Sequence, residues 1–124
     1  MSRLMSVTLT EQAVVDRSKT VTRRLGWWAD KNGRRLLVPG DHLTLCRKVM
    51  GRKQGEALVR LAEVEVVDMS RQQVRVANTP DEAAREGFPD WTWGQFVAFF
   101  CKEMRCEPTT VVTRIEWRYV GDKP

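Results

Sequence analysis

The sequence predicts an α+β fold, a small mixed β-barrel closed by two or three short helices, and three observations carry that reading. Residues 110–120 alternate, with Val111, Thr113, Ile115, Trp117 and Tyr119 on one face and Thr110, Val112, Arg114, Glu116 and Arg118 on the other, the period of a strand with one buried face. Trp93, Phe96, Val97, Phe100 and Met104 recur at helical spacing and make one apolar stripe. The other apolar runs are short and broken by Gly, Pro, Asn and Asp, so strands and short helices must share a small core.

In chain order, Thr10 to Ser18 reads as a helix of about two turns, with Thr10 as N-cap, Glu11 early and Arg17 late, matching the helix dipole. Thr20-Val-Thr-Arg-Arg-Leu is a β-branched run and predicts a strand, with Thr20, Thr22 and Arg24 on one face and Val21 and Arg23 on the other. Gly26 ends it. Residues 26–41 form an exposed excursion that turns at Pro39-Gly40-Asp41 into a strand from His42 to Val49. After the turn at Gly51 to Gly55, a strand runs from about Glu56 to Asp68. Thr79-Pro80-Asp81-Glu82 opens a helix that Gly87 stops, and the striped helix starts near Thr92. That stripe is expected to be core and not a ligand box.

With 124 residues and 42% apolar content the chain has room for one domain spanning 1–124. No run approaches the roughly 18 apolar residues of a membrane helix. The N-terminal residues lack the apolar core of a secretory signal, so a cytoplasmic protein is expected. Cys46, Cys101 and Cys106 are odd in number and His42 is the only histidine, which argues against a closed zinc site. Reduced thiols, no metal and no cofactor are expected.

Charge separates along the chain. Residues 1–60 carry 13 basic and 5 acidic side chains, and residues 61–124 carry 8 and 11. The N-terminal half therefore presents a positive surface. Arg17, Lys19, Arg23, Arg24, Lys31, Arg34, Arg35, Arg47, Lys48, Arg52 and Lys53 attract phosphates, and Trp27 and Trp28 offer stacking faces for unpaired bases. A solvated basic surface with two half-buried tryptophans accounts for the same composition, so a motif has to decide.

The densest polar cluster is Asp16-Arg-Ser-Lys-Thr-Val-Thr-Arg-Arg. A threonine hydroxyl becomes a nucleophile when a neighbouring base takes its proton, and a lysine desolvated among other cations has its pKa lowered toward that task. Lys19 and Thr22 can form such a pair if Lys19 sits in the turn before the strand, because positions i and i+3 of a strand face opposite ways. An amide hydrolase also needs a group that protonates the leaving amine. Glu86, at the end of a predicted helix beside Gly87-Phe-Pro-Asp-Trp, can reach a cleft from there, and the same position suits an exposed helix-end glutamate.

Lys19-Thr-Val-Thr-Arg-Arg, the Trp-bearing loop, Pro39-Gly-Asp before a strand, Val64-Glu-Val, Ala84-Arg-Glu-Gly before a helix and the closing Thr113-Arg-Ile-Glu-Trp together resemble the ASCH domain family. The likeness runs from about Thr10 to Tyr119. It implies a PUA-like β-barrel and an association with RNA and modified nucleobases. One branch of the family is a small amidohydrolase that deacetylates the exocyclic amine of acetylated cytidine. By this resemblance Thr22 is the nucleophile, Lys19 its activator and Glu86, three residues after Ala83, the general acid/base. Arg24 matches an arginine of the motif that can hold a substrate carbonyl or phosphate. Leu25-Gly26-Trp27-Trp28 departs from that branch by starting a basic insertion where the branch is acidic, which implies a larger, polyanionic ligand. Basic, Trp-rich forms include those of actinobacterial phages.

Three readings follow. In the first, the domain binds RNA or another single strand, with one base in a pocket of Lys19, Thr22, Arg24 and Glu86. Arg23, Arg24, Arg34 and Arg35 then hold the backbone, Trp27 or Trp28 stacks, Thr20 is a further ligand-binding residue, and weak ribonuclease cleavage by Lys19 and Glu86 is a variant. In the second, the same pocket deacylates acylated cytidine or a related modified nucleoside. In the third, Trp91, Trp93 or the basic loop binds a host protein while the pocket is idle.

Overall fold

In the computed structural model, residues 3–121 are described. Residues 1, 2 and 122–124, the outer ends of the predicted domain and the start of the stretch read for a signal, lie outside them. Five strands form one mixed sheet in the order β1-β3-β4-β5-β2: β1 (Arg3–Ser6), β2 (Val21–Arg24), β3 (His42–Cys46), β4 (Arg60–Gln73) and β5 (Val111–Tyr119). β1 runs parallel to β3, and every other pair is antiparallel. Three helices, α1 (Glu11–Val15), α2 (Glu82–Arg85) and α3 (Trp93–Met104), pack on it. None of the described helices is long and apolar enough to cross a membrane.

The sheet curls because β4 is long and irregular. Its first half pairs with β3 and its second with β5, and the register shifts between Val66 and Asp68, where a bulge sharpens the twist. Curling brings the two edge strands, β1 and β2, around to face one another. The Arg24 guanidinium spans that seam, its Nη2 donating to the Ser6 carbonyl at 2.8 Å. The result is a half-barrel with one open side.

Met5, Val7, Val14, Leu37, Leu43, Leu45, Val64, Val66, Ile115 and Trp117 fill the concave face. A second core of Val74, Ala83, Phe96, Phe100 and Val112 lies between the sheet and α3. This second core revises the expectation for β5. Ile115 and Trp117 face inward as the alternation requires, but Val112 and Arg114 are equally buried, and Val111, predicted inward, is exposed at the strand end. A strand covered on both faces keeps its period while losing its polar side.

Local signals set most boundaries. Thr92 caps α3 in a full capping box with Gln95, and Arg105 ends it at φ 53. The helix predicted over 10–18 is instead a 3-10 turn, Thr8–Thr10, followed by α1, because Thr10 makes no side-chain cap and Arg17 turns left-handed at φ 65. β3 stops at Cys46, three residues short of the predicted end, and β4 spans Arg60–Gln73 where residues 56–68 were expected. β1 has no counterpart in the sequence reading.

Candidate functional site

The open side of the half-barrel holds a cavity of about 230 Å³. One wall is the segment from Ser6 to Thr10, where β1 passes into the 3-10 turn. The opposite wall is Lys19, Thr22, Arg23 and Arg24 of the α1–β2 turn and β2, with Glu86 beside them. Phe88, Phe96, Phe99, Phe100 and Met104 form the roof. The stripe on α3 thus supplies both core, through Phe96 and Phe100, and part of the cavity roof. Phe99, off the stripe, and Met104, 42% exposed at its end, also line the cavity. Leu9, 68% exposed, forms the outer lip.

Lys19 lies in the turn between α1 and β2. Its amide donates to the Ala13 carbonyl, and its own carbonyl accepts from Trp117 Nε1 at 3.0 Å and Tyr119 Oη at 2.6 Å. Burial that removes the phenol from water pushes the Tyr119 pKa up to about 12, so it stays a donor at physiological pH. The ammonium donates to the Glu86 carbonyl at 2.6 Å and lies 3.5 Å from Glu86 Oε1. Burial pulls the Lys19 pKa down to about 8, against the attraction of the Glu86 carboxylate and with help from the Arg24 and Arg23 charges.

Glu86 is not an exposed helix-end residue; it is 3% exposed. Its Oε2 accepts from Arg23 Nη1 at 2.7 Å, so both carboxylate oxygens face cations. Thr22 is also buried, and its hydroxyl oxygen accepts from Arg24 Nε at 3.3 Å. Lys19 and Thr22 line one cavity, but among the described residues no hydrogen bond joins Lys19 Nζ to Thr22 Oγ1. Arg24 has no salt-bridge partner among the described residues, and burial lowers its pKa against the pull of Glu86.

Arg23 lines the cavity, but its guanidinium is fully buried and committed to carboxylates, so it is not free to hold a nucleic-acid backbone as expected. It pairs with Glu82 and Glu86 and lies 4.6 Å from the Trp93 ring centre. Other expected ligand residues lie outside the cavity. The Thr20 hydroxyl accepts from Arg85 Nε at 3.1 Å, away from the cavity. Trp27 packs on the inner core, Arg35 stacks over Trp28 at 3.6 Å, and Arg34 is exposed; none of these lines the cavity. Trp91 stacks on Phe88 and Trp93 on Phe96, with Trp93 Nε1 donating to the Arg75 carbonyl, and both rings stay part-exposed outside the cavity. Among the described residues no cluster is arranged to hold a metal ion.

The sequence reading missed Glu82 and Arg114. Arg114 faces Arg23 directly across β5 and β2, and Glu82 is buried between the two guanidiniums. The one available signal was the i, i+4 spacing of Glu82 and Glu86, which puts both carboxylates on one helical face. Gly87 then turns the chain at φ +107, and a Cβ there would meet Thr10 Cγ2 at 2.8 Å. Gly87→Ala is therefore expected to cost about 2 kcal/mol, from backbone strain and from forcing apart two cavity walls. An unchanged denaturation midpoint would contradict this.

No family model and no curated protein matches the sequence. Solved structures match it in fold. Protein EF3133 from Enterococcus faecalis V583, of the DUF984 group, is similar over 97% of this chain and 80% of its own, with a TM-score of 0.66 at 16% identity. The ASCH domain from Lactobacillus crispatus JV V101 gives 0.59 at 16% identity over 95% of this chain and 79% of its own. The ASCH protein from Zymomonas mobilis gives 0.56 at 16% over 93% and 65%. The curled mixed sheet with its three helices is thus the α+β fold of these ASCH-domain structures.

Proposed function

We propose that the cavity binds one nucleobase of an RNA or another single strand, or a free modified nucleoside. The base lies against the aromatic roof, and its polar edge or phosphate meets Lys19, Thr22 and Arg24. The observation that carries this reading is the union in one cavity of a phenylalanine wall with three cations, Lys19, Arg23 and Arg24, of which Arg24 alone has no carboxylate partner among the described residues. Aromatic faces bind bases whatever their edges carry, and an unneutralised guanidinium favours an oxygen-bearing, anionic or carbonyl group. The likeness to ASCH domains, a group associated with RNA, supports the same reading. Labelled single-stranded RNA followed by fluorescence anisotropy tests it. Arg24→Ala is expected to weaken binding about tenfold, the loss of one charge-assisted hydrogen bond partly offset because Ser6 already holds the guanidinium. Equal affinity in the variant counts against the reading.

A second reading, deacylation of an acylated cytidine, draws on the depressed Lys19 pKa beside Thr22. There, neutral Lys19 takes the Thr22 proton as Oγ1 attacks the acyl carbon, that proton passes from the Lys19 ammonium through the Glu86 carboxylate to the amine as the C–N bond breaks, and a water deprotonated by Lys19 then cleaves the acyl-threonine ester to free the acid and Thr22. The pinning of both Glu86 oxygens by cations suits a positioning role for Lys19 better than this one, which is why binding ranks first. Turnover of acylated cytidine that survives Thr22→Ala would sink the hydrolase.

A further inference from the structure

The basic stretch between β3 and β4 is hydrogen-bonded at its start to the cavity wall, and the Trp-bearing loop contributes nothing to that wall. Val7 N donates to the Cys46 carbonyl at 2.9 Å and Thr8 Oγ1 to the Arg47 carbonyl. Val7 and Thr8 line the cavity, so residues 47–60 start one hydrogen bond away from its wall. Those residues hold five basic side chains and one acidic one. Arg47 is spent on Glu11 and Lys48 on Glu56. Arg52, Lys53 and Arg60 are exposed and have no salt-bridge partner among the described residues. Arg60 lies opposite Cys46 across the β3–β4 ladder, so its backbone sits at the strand end whose Cys46 carbonyl accepts from Val7. By contrast, Arg35 is committed to Trp28 and to the Leu37 carbonyl.

We propose that the β3–β4 loop is the track for the phosphodiester backbone of a single strand whose base occupies the cavity, with Arg52, Lys53 and Arg60 as its phosphate contacts. The proposal rests on the base-binding reading of the cavity, and it moves the backbone contacts away from Arg34 and Arg35. One acidic residue among five bases suits a polyanion better than a mixed-charge protein surface.

The experiment titrates a labelled single-stranded RNA octamer, an abasic phosphodiester octamer and a nucleoside monophosphate. The proteins are wild type, R52E/K53E/R60E, R34E/R35E and R24A, each shown folded by circular dichroism. The triple variant is expected to lose at least tenfold in affinity for both octamers and to flatten the RNA salt slope by about 2, at roughly 0.7 per single-strand phosphate contact. It should bind the monophosphate as wild type does. Octamer affinity that falls in R34E/R35E and not in the triple variant overturns the track while leaving the cavity reading to R24A. A wild type that binds the abasic strand as tightly as RNA, with no effect of R24A, keeps the track and removes the base pocket. Binding of neither octamer by wild type overturns the track.

Discussion

Glu82→Gln is expected to destabilise the fold by about 3–5 kcal/mol, the cost of removing one partner from a buried ion network. Glu82 is 1% exposed. Its Oε2 accepts from Arg23 Nη2 and from Arg114 Nε at 2.8 Å, and its Oε1 accepts from Arg114 Nη2 at 3.0 Å. Burial alone would raise its pKa, but the hydrogen bonds from Arg114 and Arg23 outweigh burial and hold it at about 2. Glutamine keeps the shape, removes the charge that both guanidiniums need, and points an NH₂ donor at them. Replacing the whole network with apolar groups would cost far less, because the penalty lies in the stranded arginines. The midpoint of chemical denaturation should drop with an unchanged m-value, while exposed Glu56→Gln leaves it in place. The same carboxylate sets an acid limit. Its folded pKa lies below the unfolded value of 4.5, so its stabilisation is present above about 4.5 and is lost as pH falls toward 2. Glu82→Gln should lack that part of the acid transition, and a midpoint equal to wild type would show that the charge holds nothing together.

How far the site could be read from the sequence depended on whether its signal was local. The α3 stripe, the Thr92 capping box and the β5 alternation are short-range patterns, and each marks an element that is present. The junction of α1 and β2 carried Lys19 and Thr22 in the same way. β1 escaped because four residues carry no period, and its partner lies 40 residues along the chain in a parallel pairing. Arg23 was assigned to solvent because charge usually lies there; its burial depends on the register that sets it against Arg114, which no local pattern encodes. Glu82 looked like a helix-start acid complementing the dipole, and it is instead the acceptor that neutralises two strands' arginines. Charge counting found the basic half of the chain, but only the hydrogen bonds from Val7 and Thr8 show which of its loops lies beside the cavity.

Lys19→Met is expected to weaken binding of a nucleoside monophosphate about 100-fold at pH 7, since a charged donor in a desolvated pocket contributes more than one at the surface. It should also remove a pH dependence that identifies the residue. Burial holds the Lys19 pKa at about 8, below its ordinary value of 10.5, so below pH 8 the folded protein carries a charged ammonium in the cavity. Affinity for an anion falls as pH rises through 8 and that charge is lost. Fold stability moves the other way. Between about 8 and 10.5 the unfolded chain binds the proton that the folded one has released, so the Lys19 contribution to stability rises with pH across that window. Opposite slopes of affinity and stability above pH 8, both absent in Lys19→Met, would place this ammonium in the ligand site. The hydrolase reading predicts deacylation that rises through the same pH, because there the neutral amine is the active form. A profile of binding and of acylated-cytidine turnover across pH 7 to 9 therefore separates the two chemistries with one residue, and equal slopes in wild type and Lys19→Met would remove Lys19 from both.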